Sequence, residues 1–547
     1  MKTRLDCTLA HAVAMLATAL ALESGAATLP ENAVPAADDE LRRLVAEDVA
    51  KPVRPAGVDG QPFWNGNALW FMYPPSFDFA ETPGAGRCRF RVFDANGREH
   101  AFEAASPKAS LEGIWAELPT GQVDVWCEAY SVSSWAGHTH SRQFRTFWKS
   151  APYRPGAYPA APRTYADAVR LGFDYVFGLP WLQHLERTGT NDLTCPMNAY
   201  PSKMNAAIAQ GMVRCAAADP LRRSRALGLA RKAVDYLIAR AQPAGAPLAH
   251  FPPTYEGDKW TARGNAGLSM LIYPATAALA YVRVYEATKD ERYLKEAEAV
   301  AATYLKLQGA DGTWPLKVGE KDGRPVAANR LFPSSVIEMF DALERVTGKA
   351  EYRAASDRAF AYVESGPLRD WSWEGQFEDV EMSRRYVNLT KHSACWTAMR
   401  LVARWPHDAA RLAQARELLR FAEDQFVCWE RPWRDQRRSF QQETFVEWKV
   451  EPAVVEQYFY KEAIDASAAK LIRTYLALHR ATGNPLDLAK ARTLGGSCVR
   501  MQEKSGRIPT VWSQAGCNAP ETDWINCMLA TYAALDELAK AESQKEH

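Results

Sequence analysis

The chain has 547 residues, which is too long for one compact hydrophobic core. It carries 66 Lys and Arg against 65 Asp and Glu, so the chain as a whole lacks the basic character of a nucleic-acid or polybasic membrane binder. Hydrophobic residues make up 47% and charged residues 24%, as in ordinary globular proteins, and this composition excludes a wholly disordered chain.

The first 27 residues have the pattern of a secretory signal peptide. Lys2 and Arg4 form a basic start, an apolar run extends from Leu9 to Leu22, and small residues follow where cleavage would occur. No later run reaches the roughly 18 apolar residues that a membrane-spanning helix needs. We therefore expect a periplasmic or secreted protein without a membrane span.

The mature chain begins with two short regions that differ in their residue patterns. Residues 28–52 contain an amphipathic pattern that predicts a helix over 37–49. Residues 53–153 are rich in aromatic and β-branched residues, and Arg89–Phe93 and Val123–Cys127 alternate between polar and apolar side chains. Turn signals recur every ten or so residues, which predicts a small antiparallel β-sandwich of the immunoglobulin or fibronectin type III kind.

From residue 162 to residue 547 the hydrophobic period becomes helical. Related turns at 287–293, 346–352 and 481–487 each lie between two amphipathic helices. Their spacing, roughly 60 to 75 residues, fits a helical hairpin plus a long connection and gives six or seven hairpins. This pattern predicts an (α/α)6 or (α/α)7 toroid after the β-sandwich, so the chain is mainly α. An open solenoid is the alternative, although its connections are usually short and uniform.

Cysteine spacing and common motifs exclude several classes of site. The ten cysteines show no CxxC or other metal-binding spacing, and we expect no metal and no cofactor. Cys88 and Cys127 lie in two strand-like runs, either facing each other or as buried free thiols. Walker A, GxGxxG, HExxH and GxSxG motifs are absent from the sequence. The oligomeric state is left open.

The densest set of chemically active side chains lies between residues 371 and 395. His392 falls in the first turn of a helix predicted from about Leu389, where the positive end of the helix dipole favours a neutral imidazole that can act as a base. Asn388 or Thr390 is the expected N-cap. The candidates in this run are Trp371, Glu378, Arg385, Tyr386, Asn388 and His392.

The other long connections carry further candidates. His250 and Tyr255 lie in a loop stiffened by two prolines. The connection over 428–452, rich in Trp and Arg, is expected either to cover a cleft and hold an anionic sugar or to be a solvated flap or oligomer contact. The remaining sugar-binding candidates are Asn198, Trp260, Arg263, Trp314, Arg330, Trp433, Tyr458 and Tyr460.

With these residues and this domain order, the chain resembles the toroid polysaccharide lyases that cleave alginate, glucuronan and related uronate polymers. In that family an Asn or Arg neutralises the uronate carboxylate, while Tyr and His move the protons. The resemblance implies the same catalytic roles here for Tyr386, Asn388 and His392, with His250 and Tyr255 as partners.

The chemistry of β-elimination accounts for these residue types. The C5 proton of a uronate is acidic only when the neighbouring carboxylate is neutralised, and a Tyr or His then takes it. We therefore expect a lyase whose partner is an anionic polysaccharide and not a nucleic acid. One alternative is a toroid glycoside hydrolase, and the other is a glycan-binding protein without catalysis. The hydrolase would use a carboxylate pair drawn from Glu256, Glu374, Glu378, Asp379 and Glu381.

Overall fold

The structure is a computed structural model. It describes residues 36–53, 68–76, 79–131, 139–258, 260–377, 385–430, 448–458, 460–513 and 520–543. The predicted signal peptide, Glu378 and Trp433 lie outside these ranges, and so does the side chain of Trp260.

A helix and a sheet precede the helical region. Helix α1 (Ala36–Val49) forms where the amphipathic pattern predicts it. The described elements that follow are β1 (Trp70–Phe71), β2 (Ala85–Phe93), β3 (Glu99–Ala104), α2 (Glu112–Trp115), β4 (Gly121–Ser131) and β5 (Thr139–Lys149). The strands form one sheet in the order β1-β5-β4-β2-β3. Every neighbouring pair is antiparallel except β1 with β5, which is parallel.

The sheet buries one face and exposes the other. Phe90 of β2 and Val125 of β4 are fully buried in the period-two pattern expected for a strand. The buried face is covered by Trp115 of α2, whose ring lies 6.2 Å from that of Phe147. Over the described part of residues 68–149 no second sheet faces this one. A β-region is therefore present as predicted, while a sandwich is not shown over the described residues.

Cys88 and Cys127 lie on adjacent strands of this sheet. Cys88 is paired with Ala129 and Cys127 with Phe90, so the two cysteines are diagonal neighbours. Both are buried free thiols, the second of the two alternatives. Burial raises the pKa of the Cys127 thiol to about 12, so this side chain stays protonated at neutral pH.

The helical region consists of two concentric rings. The inner helices are α5 (Pro201–Ala218), α8 (Tyr273–Thr288), α10 (Ser334–Thr347), α13 (Lys391–Arg404), α15 (Asp465–Thr482) and α17 (Ile525–Ser543). The outer helices are α3 (Tyr165–Gly178), α6 (Arg223–Ala239), α9 (Glu291–Leu307), α11 (Ala350–Ser365), α14 (Ala409–Phe426) and α16 (Pro485–Met501). Shorter helices in the same region are α4 (Pro180–Thr188), α7 (Trp260–Gly264) and α12 (Pro367–Asp370).

The inner helices contact one another around a closed circle. Helix α5 packs on α8, α8 on α10, α13 on α15, α15 on α17 and α17 on α5. Helices α10 and α13 meet where Trp396 Nε1 donates a hydrogen bond to Glu338, 2.7 Å away. The first outer helix, α3, packs on the last inner helix, α17, so the two ends of the region close the ring together. Among the described residues this is an (α/α)6 toroid.

The connections alternate in length, and this alternation positions the site. Five inner helices, α5, α8, α10, α13 and α15, each lead to the following outer helix through a short turn, and Lys289, Gly348 and Gly483 close three of these turns with φ between 60° and 70°. Each outer helix leads to the next inner helix through a long connection. The long connections therefore gather at the end of the ring where the inner helices begin, as the sequence predicts.

Extended segments within the long connections join them to one another. Strands β6 (Leu268–Met270) and β7 (Lys317–Gly319) pair, as do β8 (Val427–Cys428) and β9 (Ala453–Val454). Single bridges link Thr390 to Gln457 and Ile464 to Val511, across the connections before α13, α15 and α17. The helical pattern does not predict these ribbons. Within the described ranges, no helix is long and apolar enough to cross a membrane.

Candidate active site

A cation and an aromatic wall lie at the end of the ring where the inner helices begin. Lys203, in the first turn of α5, places Nζ 3.7 Å from the ring centroid of Trp524 and 5.9 Å from that of Tyr273. The ring of Tyr200 lies 5.2 Å from Trp524 and 6.2 Å from Tyr255. Aromatic faces bind the apolar faces of sugars and also attract the ammonium group.

His392 lies in the first turn of α13, as predicted. Thr390 is the N-cap, and its hydroxyl accepts a hydrogen bond from the His392 backbone amide. The imidazole packs edge-on against Phe377 at 6.1 Å. Burial, then the charges of Lys391, Lys470 and Lys203, lower its pKa well below the ordinary 6.5. The ring is therefore neutral at pH 7.

Two further lysines adjoin this histidine. Lys391 is fully buried, and its Nζ donates to the Glu456 carbonyl at 2.8 Å and to the Ser467 hydroxyl. Burial lowers the pKa of Lys391 to about 7. Lys470 of α15 also has a lowered pKa, first through burial and then through the charge of Arg473. A carboxylate acts on each of these lysines in turn, Glu456 on Lys391 and Glu338 on Lys470.

One carboxylate lies on the same side of the ring. Glu338 is on inner helix α10, is exposed, and accepts the indole hydrogen bond of Trp396 at 2.7 Å. The ring of Phe332 lies 5.7 Å from Trp396 and perpendicular to it. An exposed side chain on an inner helix of a closed ring faces the axis, so Glu338 contributes an acid to the mouth of the ring.

Two of the carboxylates considered for a hydrolase from the sequence, Glu256 and Glu374, interact with outer helices. Glu256 accepts hydrogen bonds from Tyr236 at 2.5 Å and Arg240 at 2.8 Å, both at outer helix α6. Burial raises the pKa of Glu374, and its charge acts on Tyr362 of outer helix α11. Glu378, Asp379 and Glu381 lie outside the described residues.

Tyr386 and Asn388 precede His392, but their side chains are engaged in other contacts. Tyr386 has a φ of 64°, strained for a bulky residue, and its hydroxyl donates to the Asp370 carbonyl at 2.8 Å. Asn388 is fully buried and donates to Gln457 Oε1 at 2.7 Å. Both side chains thus have contacts within the fold, and their catalytic roles stay predictions.

His250 lies apart from the other catalytic candidates. Its Nδ1 is 3.0 Å from Glu296 of outer helix α9, and its backbone amide donates to the Gln242 carbonyl beyond α6. Its φ of 64° turns the chain toward the outer wall. His250 and Tyr255 belong to the same loop but lie in different places, because Tyr255 packs on Tyr200 at the mouth of the ring. His250 is therefore not among the residues that the structure brings together.

Several predicted sugar-binding residues have structural contacts instead. Trp314 is fully buried, donates to a backbone carbonyl of α9 and has no face for a sugar. Trp371 is buried against outer helix α14. Arg330 and Arg385 pair with acidic residues of their own connections. These four side chains thus have contacts within the fold, and their roles in sugar binding stay predictions.

The last group of candidates divides in the same way. Asn198 is buried and donates to a backbone carbonyl of its own turn, 2.8 Å away. Tyr458 is buried, and its hydroxyl donates to Gln425 Oε1 at 2.7 Å. The carbonyl of Tyr460 accepts a backbone hydrogen bond within the same loop. Arg263 is exposed on α7 and stays available to a ligand.

Sequence reasoning missed residues that lie on the inner helices or directly before them. The side chains it missed are Lys203, Glu338, Trp396, Lys470 and Trp524. Two of them had a recognisable signal, because Lys203 lies within the first turn of α5 and Trp524 lies directly before α17. Over the described residues, no group of three or more His, Cys, Asp and Glu side chains is arranged to hold a metal ion.

Comparisons with known proteins locate the fold but not the reaction. No protein-family model and no curated protein matches the sequence. Cellobiose 2-epimerase from Spirochaeta thermophila aligns over 70% of this chain and 97% of its own, with a TM-score of 0.52 and 12% identity. A family 76 glycoside hydrolase from a bovine Bacteroides thetaiotaomicron strain aligns over 84% of this chain and 93% of its own, with a TM-score of 0.41 and 11% identity. A polysaccharide lyase aligns over 84% of this chain and 60% of its own, with a TM-score of 0.41 and 12% identity. The likeness to the epimerase supports the toroid fold.

Proposed function

We propose that the chain is an exported polysaccharide lyase that cleaves a uronate-containing glycan by β-elimination. The observation that carries the proposal is His392, a neutral imidazole at the mouth of the ring with Lys203, Lys391 and Lys470 around it. A nearly neutral chain that gathers cations around one base is suited to an anionic substrate. The toroid shared with cellobiose 2-epimerase supports sugar chemistry only by analogy, because one fold hosts many reactions.

The cations have a defined task in this reaction. Lys203 and Lys470 are proposed to neutralise the uronate carboxylate, which makes the C5 proton acidic. The inner helices all begin at this end of the ring, and their amide groups add positive potential there. Electrostatic stabilisation of this kind develops with the negative charge of the carbanion and therefore lowers the barrier.

The proton transfers are assigned to two side chains. His392 takes the C5 proton, since its lowered pKa keeps the ring neutral. Tyr255 gives a proton to the departing glycosidic oxygen. The C5–H and C4–O bonds break, a C4–C5 double bond forms, and the new reducing end carries the tyrosine proton. Trp524 and Tyr200 supply aromatic faces for the neighbouring sugars.

A hydrolase is the second candidate, and Glu338 is the observation that favours it. This carboxylate is exposed on an inner helix beside Trp396, where a glycosidic bond would reach it. Hydrolysis needs a second carboxyl, about 5 to 9.5 Å away according to stereochemistry. A carboxylate facing the axis would also repel a uronate, which is why the lyase ranks first.

One assay separates the candidates. The purified chain is incubated with alginate, glucuronan and other uronate polymers, and with neutral glucans and mannans as controls. A lyase produces ultraviolet absorbance from the C4–C5 double bond together with new reducing ends. New reducing ends without that absorbance indicate a hydrolase. Retention of polymer with neither signal indicates a binding protein. Either of the last two results overturns the proposal.

A further inference from the structure

We propose that β1, the edge strand of the N-terminal sheet, is a positioning element of the candidate active site. It acts through five residues, Trp70, Gln425, Tyr458, Gln457 and Asn388, which we call the Gln425 relay. The proposal rests on the proposed function, because its activity test measures that reaction. The contacts of the relay belong to the fold and do not depend on the reaction. It makes the N-terminal sheet part of the catalytic scaffold and not a separate module.

The relay begins where β1 docks on the end of α14. Trp70 Nε1 donates to the Gln425 carbonyl at 2.8 Å, and Gln425 Nε2 donates to the Trp70 carbonyl at 3.0 Å. Asp424 Oδ1 accepts the backbone amides of Met72 at 2.6 Å and Tyr73 at 2.9 Å. These residues are buried, so each of the hydrogen bonds is costly to lose. The segment therefore has one position on α14.

The docked strand orients the Gln425 side chain. Its Nε2 group also donates to Asp424 Oδ2 at 2.7 Å, so both protons of the amide are engaged. The amide oxygen then points the other way and accepts the Tyr458 hydroxyl at 2.7 Å. Glutamine has two donors on one side of the amide and an acceptor on the other, so fixing the donors fixes the acceptor.

Tyr458 transmits this orientation to the connection before α13. Its ring stacks on Phe426 with centroids 5.7 Å apart, and its backbone amide donates to the Leu389 carbonyl at 3.1 Å. The preceding residue, Gln457, forms a backbone bridge to Thr390 and accepts the Asn388 amide at 2.7 Å. A shift of the Tyr458 ring would therefore move the start of α13.

The far end of the relay lies against Gly375, two residues before Phe377. A Cβ placed on Gly375 would lie 2.7 Å from the Gln457 amide oxygen, 3.1 Å from Asn388 and 3.1 Å from Phe377. The relay thus packs closely on the backbone at Gly375, and the ring of Phe377 lies 6.1 Å from that of His392. Catalytic groups need support to within about 0.5 Å, which buried contacts of this kind provide.

The test uses two tyrosine variants of the full chain. Tyr458→Phe removes the relay hydroxyl and keeps the stacking ring. Tyr73→Phe, the matched control, removes a hydroxyl that bonds to Asp48 at 3.0 Å and Glu423 at 3.1 Å, in the same docked segment but outside the relay. We expect kcat to fall about tenfold in Tyr458→Phe with KM within about twofold of wild type. In Tyr73→Phe we expect kcat to remain within about twofold.

A second measurement does not depend on activity. Hydrogen exchange of residues 386–392 is compared between wild type and the two variants, and we expect faster exchange only in Tyr458→Phe. If that variant does not fold, Trp70→Phe, which removes the Nε1 donor, takes its place. An unchanged kcat or unchanged exchange in the relay variant overturns the proposal, as does an equal loss of kcat in Tyr73→Phe. Faster exchange in a chain that cleaves no polymer refutes the proposed function and leaves the contacts of the relay standing.

Discussion

His392 and His250 are the two histidines proposed from the sequence, and their positions predict opposite effects of mutation. His392 lies at the mouth of the ring, whereas His250 pairs with Glu296 of the outer ring at 3.0 Å. We expect His392→Gln to lower kcat about 100-fold or more, because the base is lost. We expect His250→Gln to leave kcat nearly unchanged. Rates of double-bond formation on a uronate polymer measure both, and a larger loss in His250→Gln would contradict the assignment.

Lys203 is expected to determine affinity for the carboxylate of the substrate. Lys203→Gln removes the charge and leaves a shorter, uncharged polar side chain at this position. We expect KM to rise about tenfold, which corresponds to one charge-assisted hydrogen bond, and the salt dependence of KM to weaken. Lys295→Gln, on the exposed side of outer helix α9, is the control. Equal effects of the two variants would mean that Lys203 does not contact the substrate.

The pH dependence of turnover should reflect the environment of His392. Burial and three lysine charges lower its pKa below 6.5, so the neutral base persists as the pH falls through that value. We expect the acid limb of kcat to lie below pH 6.5. Lys470→Met removes one positive neighbour and should move that limb to higher pH. A pH–rate profile that is identical in the variant would exclude His392 as the titrating base.

At the scale of elements, a buried ion cluster fastens α1 to the toroid. Lys490 of α16 contacts Glu423 of α14 at 2.7 Å and Asp48 of α1 at 3.4 Å. Glu423 is almost fully buried, so Lys490→Met would leave its carboxylate without its cation. We expect the free energy of unfolding to fall by about 3–5 kcal/mol.

The exposed pair of Lys540 and Asp536, at 2.6 Å, provides the control for that measurement. Lys540→Met should change the free energy of unfolding by about 0.5 kcal/mol or less, because exposed pairs are screened by water. Urea denaturation of both variants tests the contrast. Similar losses in the two would show that burial of the cluster does not govern its contribution.

At the scale of the whole molecule, the ring closes where α3 packs on α17. A Cβ on Gly172 of α3 would lie 2.3 Å from the ring of Tyr532, whose hydroxyl donates to the Gly506 carbonyl at 2.8 Å. Gly172→Ala should therefore destabilise the fold by about 1–3 kcal/mol through overpacking. Gly178→Ala, in the same helix, meets no atom within 4 Å and should be neutral or slightly stabilising. The melting temperatures of the two variants test this prediction. Equal melting temperatures would show that ring closure tolerates the extra methyl group at Gly172.

The ring itself could be predicted because its information is local. Helical periodicity, turns such as those ended by Gly348 and Gly483, and the alternation of short and long connections all lie within single hairpins. The position of His392 in the first turn of α13 was equally local, since caps and helix starts depend on a few neighbouring residues.

The sheet and most of the site were decided only by tertiary structure. Alternation along a strand shows which face is buried but not whether a second sheet or a short helix such as α2 covers it. Tyr386 and Asn388 are adjacent to the base in sequence, yet Asp370 and Gln457 engage their side chains. Inner helices are buried on nearly all sides, so their hydrophobic periodicity does not show which side faces the axis of the ring. It could not show that Lys203 and side chains of other inner helices face the same end of the ring. That convergence requires closure of the ring between segments hundreds of residues apart, and no local pattern encodes it.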